Sequence, residues 1–315
     1  MTRYILKRTG IALVTLLGIT VIDFLLMSLI GNPIEIMAGG PKVSLTVLAQ
    51  KAENLGLDKP IYIQYFNWLK ATLHGDFGNS YKTYEPVANM ILSHLMPTLI
   101  LNGTALLLSL LIAAFGGIYS AVHQHYRRDY LIVSGAFLGQ SIPGFFLAMI
   151  LIYFFCIRLG WLPSSGMREL GSPGSGPQLR YMILPVIVLA VSMAGSNLRY
   201  IRSAVLEILN QDYIRAAKGK GLGRFLVIYK HALRASLIPI VTVIGMEIPA
   251  LFGGSIIIEQ LFSFPGLGLM TMNAILARDY PVVMAMCLLS AVIVLAANLL
   301  TDIVYALVDP RVQYR

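Results

Sequence analysis

Two carboxylates stand inside long apolar stretches of the sequence and are its first candidates for chemistry. Asp23 lies within the first stretch and Glu247 near the middle of the fifth. Because burying a carboxylate in hydrocarbon costs about 2.5–3.5 kcal/mol on insertion scales, such side chains are expected to face a bundle interior or water. They could line a path for substrate or protons, or they could pair with a neighbouring helix or take up a proton. The sequence leaves both interpretations open.

The sequence motifs of common catalytic and nucleotide-binding sites are absent. The pattern G-x-x-x-x-G-K-[ST] does not occur, and the glycine-rich run from Gly219 to Gly223 has neither its spacing nor its hydroxyl. H-E-x-x-H and G-x-S-x-G are absent as well. His123 and His125 are expected in a solvated loop and not in a metal site. We therefore predict that the chain is not an enzyme and binds no metal or cofactor, so that any ATP and Mg²⁺ act on another chain.

A short basic segment between two apolar stretches is the next candidate, and it runs D-Y-I-R-A-A-K-G-K-G-L from Asp212 to Leu222. Asp212 is a suitable N-cap, because its carboxylate can accept from the free N–H groups of a first helical turn. Gly219 and Gly221 can adopt the left-handed backbone that ends a helix. The helix would be small on one face and cationic on the other. Since it can neither span a bilayer nor form a core alone, we predict that it docks on another protein.

The elements that position these residues belong to a membrane protein. Of the 315 residues, 57% are hydrophobic and only 12% are charged, whereas a soluble domain has about 25% charged residues. The first apolar stretch follows a basic N-terminus but lacks a clear cleavage site, so we interpret it as a retained anchor helix. Six stretches are long enough, or nearly so, to cross about 30 Å of hydrocarbon, and they cover residues 9–30, 98–122, 131–157, 181–198, 236–258 and 281–308.

The placement of Lys and Arg predicts the orientation of these spans. Fifteen of the 24 basic residues, among them Arg199 and Arg202, fall on one set of span ends. Cytoplasmic loops carry the excess of Lys and Arg, so both termini are predicted in the cytoplasm. The net charge of +9 is explained by this topology, and we predict no nucleic-acid partner.

Three features outside the basic segment carry further predictions. The long external loop 31–96 contains an amphipathic pattern over 61–73, which predicts a helix at the membrane interface that serves either an extracytoplasmic partner or as a structural lid. Pro143 interrupts the third span and predicts a kink, which is tolerated in membranes where neighbours or a cavity satisfy the freed carbonyl. The stretch 259–269 is apolar but rich in helix breakers, so it must pack against protein, and a partner subunit is one such surface.

The basic segment and its surroundings resemble the EAA loop of bacterial ABC importer permeases, in the variant of the oligopeptide/dipeptide/nickel family. Ala216, Ala217 and Gly221 keep the pattern of that loop, while Arg215 stands where the general loop has glutamate. The order of further landmarks is similar to that of the B-type permease, which carries a long external loop after its first helix. These landmarks are L-G-L-D-K-P at 55–60, G-D-F-G at 75–78, S-I-P at 141–143, L-G-W-L-P at 159–163, F-P-G-L-G at 264–268, R-D-Y-P-V-V at 278–283 and L-V-D-P-R at 307–311.

The resemblance implies an all-α membrane protein with the type I ABC importer fold, six transmembrane helices and both termini in the cytoplasm. It implies an N-terminal part, 1–96, and a transmembrane domain, 97–315, whose coupling loop covers about 199–235. It also implies a bacterial cytoplasmic-membrane location. The implied partners are a sibling permease forming a heterodimer, two cytoplasmic ATPase subunits that hold ATP and Mg²⁺, an extracytoplasmic substrate-binding protein and membrane lipid. The residues implied in ATPase coupling are Asp212, Arg215, Ala216, Ala217 and Gly221.

The predicted function is ATP-driven import of oligopeptides or dipeptides. Within the same family, nickel or another small solute is the alternative cargo. From a different class, a proton-coupled secondary transporter would use Asp23 and Glu247. Such carriers usually show internal repeats, and none is apparent here. The candidate pathway residues are Asp23, Pro143 and Glu247.

Overall fold

The computed structural model describes residues 2–30, 59–169, 171, 176–223 and 255–308, together with positions 226, 245, 247, 248, 251 and 252. Within these residues the regular structure is helical, apart from one isolated bridge between Asn79 and Pro86. Helix α1 covers Thr2–Ile30 and helix α2 covers Ile61–Leu73. The predicted amphipathic helix over 61–73 is thus confirmed.

Helix α2 packs against the first span through aromatic side chains. The Tyr65 ring meets Phe24 of α1 edge-on, with ring centroids 5.5 Å apart, and its hydroxyl lies 2.9 Å from Thr20 Oγ1. Trp68 also contacts Phe24, at 5.7 Å between ring centroids. Helix α2 is therefore fixed to the half of α1 that precedes the long loop, where aromatic residues favour the membrane interface.

Two long helices form the centre of the molecule. Helix α3 covers Val87–Val122 and helix α6 covers Leu179–Leu209. Small residues let them approach closely, because a Cβ added at Gly117 would lie only 3.0 Å from the Leu198 carbonyl oxygen. The core beside this crossing consists of Ala113, Ala121, Leu198, Ile201 and Val205.

The predicted third span is broken and not merely kinked. Helix α4 covers Arg127–Ser141, helix α5 covers Gly144–Leu151, and a π-helical segment continues over Ile152–Arg158. The two halves meet at 94°. The cause is Pro143, which removes a backbone donor, and Ile142 before it, which is extended at φ −77° and ψ 122° as residues before proline usually are. The expectation of one kinked rod over 131–157 is therefore wrong.

The C-terminal part begins with a helical hairpin. Helix α8 covers Ile256–Leu261, helix α9 covers Leu267–Ala277 and helix α10 covers Tyr280–Val308. Phe262 and Phe264, in the connection from α8 to α9, are buried against residues of α3, α5 and α6. Packing of 259–269 against protein is thus confirmed, with this chain itself as the protein, and a partner subunit at the exposed positions stays a prediction.

The described helices account for most of the predicted spans. Four are long and apolar enough to cross a membrane, and the bent pair α4 and α5 makes up to five. The predicted span 236–258 lies mostly outside the described residues, so the count of six and the cytoplasmic position of both termini stay predictions. The predicted division after residue 96 falls within α3 and also stays a prediction.

Candidate functional site

The predicted docking segment forms a separate short helix directly after the long helix α6. This helix, α7, covers Asp212–Gly219. The Gln211 carbonyl accepts from the N–H groups of Ile214 and Arg215, at 3.1 and 3.2 Å. Gln211 is thus the N-cap, and the assignment of that role to Asp212 is corrected by one residue. The Asp212 carboxylate instead pairs with the Arg215 guanidinium at 2.8 Å, and its charge still complements the helix N-terminus.

One face of α7 is anchored to its own chain. Ile214 is completely buried and Ala217 is 9% exposed, and both pack against Ile208 and Leu209 at the end of α6. Ala216 lies on the exposed side. Of the two alanines predicted to allow close approach of a partner, only Ala216 is therefore placed to do so, while Ala217 allows α7 to approach α6.

The backbone reverses after α7 at a glycine. Gly221 has φ +78°, in the left-handed region that L side chains rarely adopt. The Lys220 N–H donates to the Ala216 carbonyl at 3.0 Å, and the Leu222 N–H donates to the Ala217 carbonyl at 3.4 Å. Gly221 thus has the backbone conformation that the sequence predicts for it. Apart from position 226, the coupling loop beyond 223 lies outside the described residues.

A charged cluster joins three helices on the side of the molecule from which α7 continues, and we call it the cytoplasmic cluster after the orientation that the sequence predicts. Asp129 accepts from Arg202 Nε at 3.0 Å and from Arg202 Nη2 at 2.9 Å. It also accepts from the Ser120 hydroxyl and from the His125 N–H at 3.1 Å. Ser120 ends α3, Asp129 begins α4 and Arg202 is near the end of α6. The cluster therefore makes one unit of the helix ends that carry α7.

A second polar cluster lies in the first third of α3, and we call it the external cluster after the same predicted orientation. Glu259 is completely buried. Its Oε1 accepts from the Thr98 hydroxyl at 3.1 Å and its Oε2 accepts from the Leu269 N–H at 2.9 Å. The Thr98 oxygen in turn accepts from the Leu267 N–H at 2.7 Å. Thr98 and Glu259 thus satisfy the free N–H groups at the start of α9, which the sequence pattern alone did not indicate.

The external latch is the contact of Asp279 with Ser80 and Tyr81, and it joins two segments that are far apart in sequence. The Asp279 carboxylate accepts from the Ser80 hydroxyl at 2.5 Å and from the Tyr81 N–H at 3.0 Å. Burial, with Asp279 and Tyr280 nearby, raises the pKa of Tyr81 to about 12. Two of the landmarks quoted from the sequence, at 75–78 and 278–283, therefore meet in space, and Pro281 Cβ lies 4.0 Å from where a Cβ on Gly78 would be.

The spacing of the two clusters matches a bilayer. Thr98 and Ser120 are separated by about 33 Å along α3 at 1.5 Å per residue, and the hydrocarbon core is about 30 Å thick. Between them, Ser109 accepts from Asn197 at 3.1 Å. The sequence did not indicate either cluster, because Asp129 and Glu259 both look like residues at span boundaries without partners.

The three candidate pathway residues do not converge on one point. Asp23 is buried between α1 and α10, where it contacts Cys287, and one of its carboxylate oxygens has no hydrogen-bond partner among the described residues. Glu247 is half-buried and hydrogen-bonds to Asn197 of α6. Pro143 is exposed at the break between α4 and α5. Whether any of them lines a pathway stays a prediction.

The fold and these contacts define a class of protein: a multi-pass helical membrane protein with a short amphipathic helix fixed to one end of its central helices. Comparison with known families agrees. The model described as the binding-protein-dependent transport system inner membrane component matches residues 113–314, and the N-terminal model of such membrane components matches residues 1–102.

Relatives of known name cover the whole chain. The oligopeptide transport system permease protein AppB of Bacillus subtilis is 40% identical over 317 residues, with 100% of both chains covered. The glutathione transport system permease protein GsiC of Salmonella typhimurium is 36% identical over 316 residues, again with 100% of both covered.

Two solved structures share the fold. The inward-facing methionine ABC transporter MetNI is similar with a TM-score of 0.52 at 18% identity, covering 68% of this chain and 96% of that one. An amino acid ABC transporter with histidines has a TM-score of 0.52 at 16% identity, covering 70% of this chain and 94% of that one. The predicted type I importer fold is thereby confirmed.

The chain therefore belongs to the family of inner membrane components of binding-protein-dependent transport systems. It is a permease of an ABC importer and a multi-pass protein of the cytoplasmic membrane. Transport by such a permease involves an ATPase and a substrate-binding protein.

Proposed function

We propose that this chain imports short peptides as one half of a heterodimeric permease. Two separate ATPase subunits hold ATP and Mg²⁺, this chain catalyses no reaction, and an extracytoplasmic binding protein delivers the peptide. The observation that carries the proposal is end-to-end similarity to permeases named for oligopeptide and glutathione transport. Glutathione is itself a small peptide, so the two names share one chemical class of cargo.

Helix α7 is the proposed coupling helix. Its exposed side, with Asp212, Arg215 and Ala216, contacts an ATPase subunit, and Gly221 turns the chain back toward the membrane. Its buried side holds it to α6, so that a displacement of α7 moves α6 directly. Asp129 and Arg202 then pass the displacement to α3 and α4. ATPase closure thus produces a rigid-body movement of packed helices, which is one of the known modes of switching.

The proposed pathway runs beside the break between α4 and α5. Pro143 and its neighbours are exposed within a stretch that is predicted to cross the membrane, and irregular backbone at membrane depth must border protein or a water-filled cavity. Glu247 contacts α6 through Asn197. The break also contacts α6, because Gly144 lies beside Ser192. Asp23 is buried against α10, and its place in the pathway stays a prediction.

The cargo is tested by uptake into cells that carry the complete transporter, with and without this chain. Labelled trialanine and radioactive Ni²⁺ are supplied separately. We expect trialanine uptake to require this chain and Ni²⁺ uptake to be the same in both strains. Uptake of Ni²⁺ that requires this chain, with no uptake of trialanine, would contradict the peptide assignment and leave the permease class intact.

A further inference from the structure

Arg199 of α6 points its charge toward α4. Its Nη2 donates to Gln140 Oε1 at 2.9 Å, and its guanidinium carbon lies 4.8 Å from the centre of the Phe137 ring. Its Nε is buried and has no hydrogen-bond partner in the described part of the chain. The guanidinium is thus held in a fixed orientation, stacked on an aromatic face as arginine often is.

This guanidinium lies deeper than the sequence predicts. The distribution of basic residues predicts Arg199 on the cytoplasmic side, yet its partner Gln140 packs against Gly195 of α6, which is seven residues, or about 10 Å at 1.5 Å per residue, further from α7 than Arg202 of the cytoplasmic cluster. Side chains on a helix lean toward its N-terminus, so Arg199 extends away from α7. An arginine at membrane depth is costly, and such residues usually face a bundle interior or an aqueous pathway.

The surface around this guanidinium belongs to the break in the third span. Gln140, Ser141 and Pro143 are exposed on this chain, and Phe137 is 47% exposed. Pro143 also has no N–H to donate to the carbonyl four residues earlier. Because polar side chains and irregular backbone are not stable against lipid, this surface borders the sibling subunit or water.

The donors of Arg199 are mostly unused. A guanidinium has five N–H donors, and the contacts with described residues account for one of them. Within those residues no carboxylate pairs with Arg199. Arg202 differs, because two of its donors bind the Asp129 carboxylate. A stacked guanidinium whose donors are left over by the described residues matches the geometry of a carboxylate, which it can bind with two parallel hydrogen bonds.

We propose that Arg199 binds the C-terminal carboxylate of the peptide as it passes through the membrane, with Gln140 and Phe137 holding the guanidinium in place. Every linear peptide with a free C-terminus carries this group, whatever its side chains, so one cation can serve many substrates. The inference rests on the proposed peptide import and adds a specificity-determining residue to it.

The test compares trialanine with trialanine amide, which lacks the negative charge. Both are supplied to proteoliposomes that contain the complete transporter and its binding protein. The affinity of the binding protein for each peptide is measured separately, so that the preference of the permease can be calculated. We expect the wild type to import the acid faster than the amide, and Arg199→Gln to reduce that preference about tenfold, as expected for a hydrogen bond to a charged group.

Two further variants identify the cause. Arg199→Lys keeps the positive charge and should retain most of the preference. Arg158→Gln is the matched control, because Arg158 also stacks on an aromatic ring, that of Tyr153 at 5.5 Å, but lies at the far end of the π-helical segment. It should leave the preference unchanged.

The possible results separate the two proposals. If Arg199→Gln slows import of the acid and of the amide in the same proportion, Arg199 only stabilises the packing of α4 against α6, and the inference is overturned. A wild type that imports acid and amide equally well overturns it too, while peptide import stands. If neither peptide is imported by the wild type, the proposed function itself is contradicted.

Discussion

Neighbouring residues on α7, the proposed coupling helix, have different environments. Ala217 is buried against α6 and Ala216 is exposed, although the sequence presents them as a pair. Close packing of Ala217 fixes α7 to the end of α6, whereas Ala216 leaves room for a partner. Small side chains therefore set two distances: the distance from α7 to α6 at Ala217, and the distance from α7 to a partner at Ala216. The Asp212–Arg215 pair is exposed at the start of the helix.

Gly221 is the residue in this segment whose backbone conformation most strongly requires glycine. With φ +78° and no atom within 4 Å of an added Cβ, Gly221→Ala changes conformation without a steric clash. A left-handed alanine costs roughly 1–2 kcal/mol, so we expect peptide uptake to fall about fivefold or more, with normal membrane insertion. Gly219→Ala is the matched control, because Gly219 also has open space but has no positive φ. Equal uptake by the two variants would contradict the requirement for a left-handed turn.

At the scale of elements, the cytoplasmic cluster joins α3, α4 and α6 through buried polar contacts. The Asp129 side chain is 4% exposed, so Arg202→Met leaves a buried carboxylate without its cation. Removing one partner of such a pair typically costs about 3–5 kcal/mol. We expect a clear fall in the thermal unfolding midpoint of the detergent-solubilised complex and a partial recovery in Asp129→Asn/Arg202→Met. If the double variant is as unstable as both single variants combined, the two residues act independently.

The external hairpin depends on glycine at a close contact. A Cβ at Gly268 would lie 2.8 Å from Glu259 Oε2 and 2.9 Å from Ile256 Cα, so Gly268→Ala must displace α8 from α9. Overpacking of this kind costs about 1–3 kcal/mol, and we expect a lower thermal unfolding midpoint. Gly103→Ala in α3, where no atom lies within 4 Å, should leave the midpoint unchanged. Equal midpoints for both alanine variants would show that the contact is not strained.

The sequence was sufficient to predict those elements whose pattern lies within a single segment of the chain. Helix α2 follows from helical periodicity, α7 from its flanking glycines, and the break at Pro143 from proline chemistry, although its 94° angle exceeds a kink. The polar clusters were not predictable, because their partners are far apart in the chain: Ser80 and Asp279 are separated by 199 residues. The depth of the Arg199 guanidinium was also missed, since counting charges locates a backbone position and not the end of a long side chain.

At the scale of the whole molecule, the polar contacts are arranged in order along α3. The external latch and external cluster lie toward its start, the contact of Ser109 with Asn197 lies midway, and the cytoplasmic cluster lies at its end. Which end of this series faces the cytoplasm stays a prediction from the basic residues.

That orientation is testable by labelling single cysteines in a chain in which Cys156 and Cys287 are replaced by alanine. Tyr126 and Trp161 are 66% and 60% exposed and lie at opposite ends of the broken span. A membrane-impermeant maleimide should label Trp161→Cys in intact cells and Tyr126→Cys only after permeabilisation. The reverse pattern would invert the topology and place α7 outside the cell.

The central claim is that ATP hydrolysis by a partner drives peptide through this chain. The most direct measurement is trialanine uptake by proteoliposomes that contain the complete transporter and its binding protein, with ATP supplied to active or catalytically inactive ATPase subunits. A proton gradient is applied separately. We predict uptake only with ATP and active ATPase, and none from the gradient alone. Uptake that follows the proton gradient and ignores the inactive ATPase would contradict the account and favour a secondary transporter.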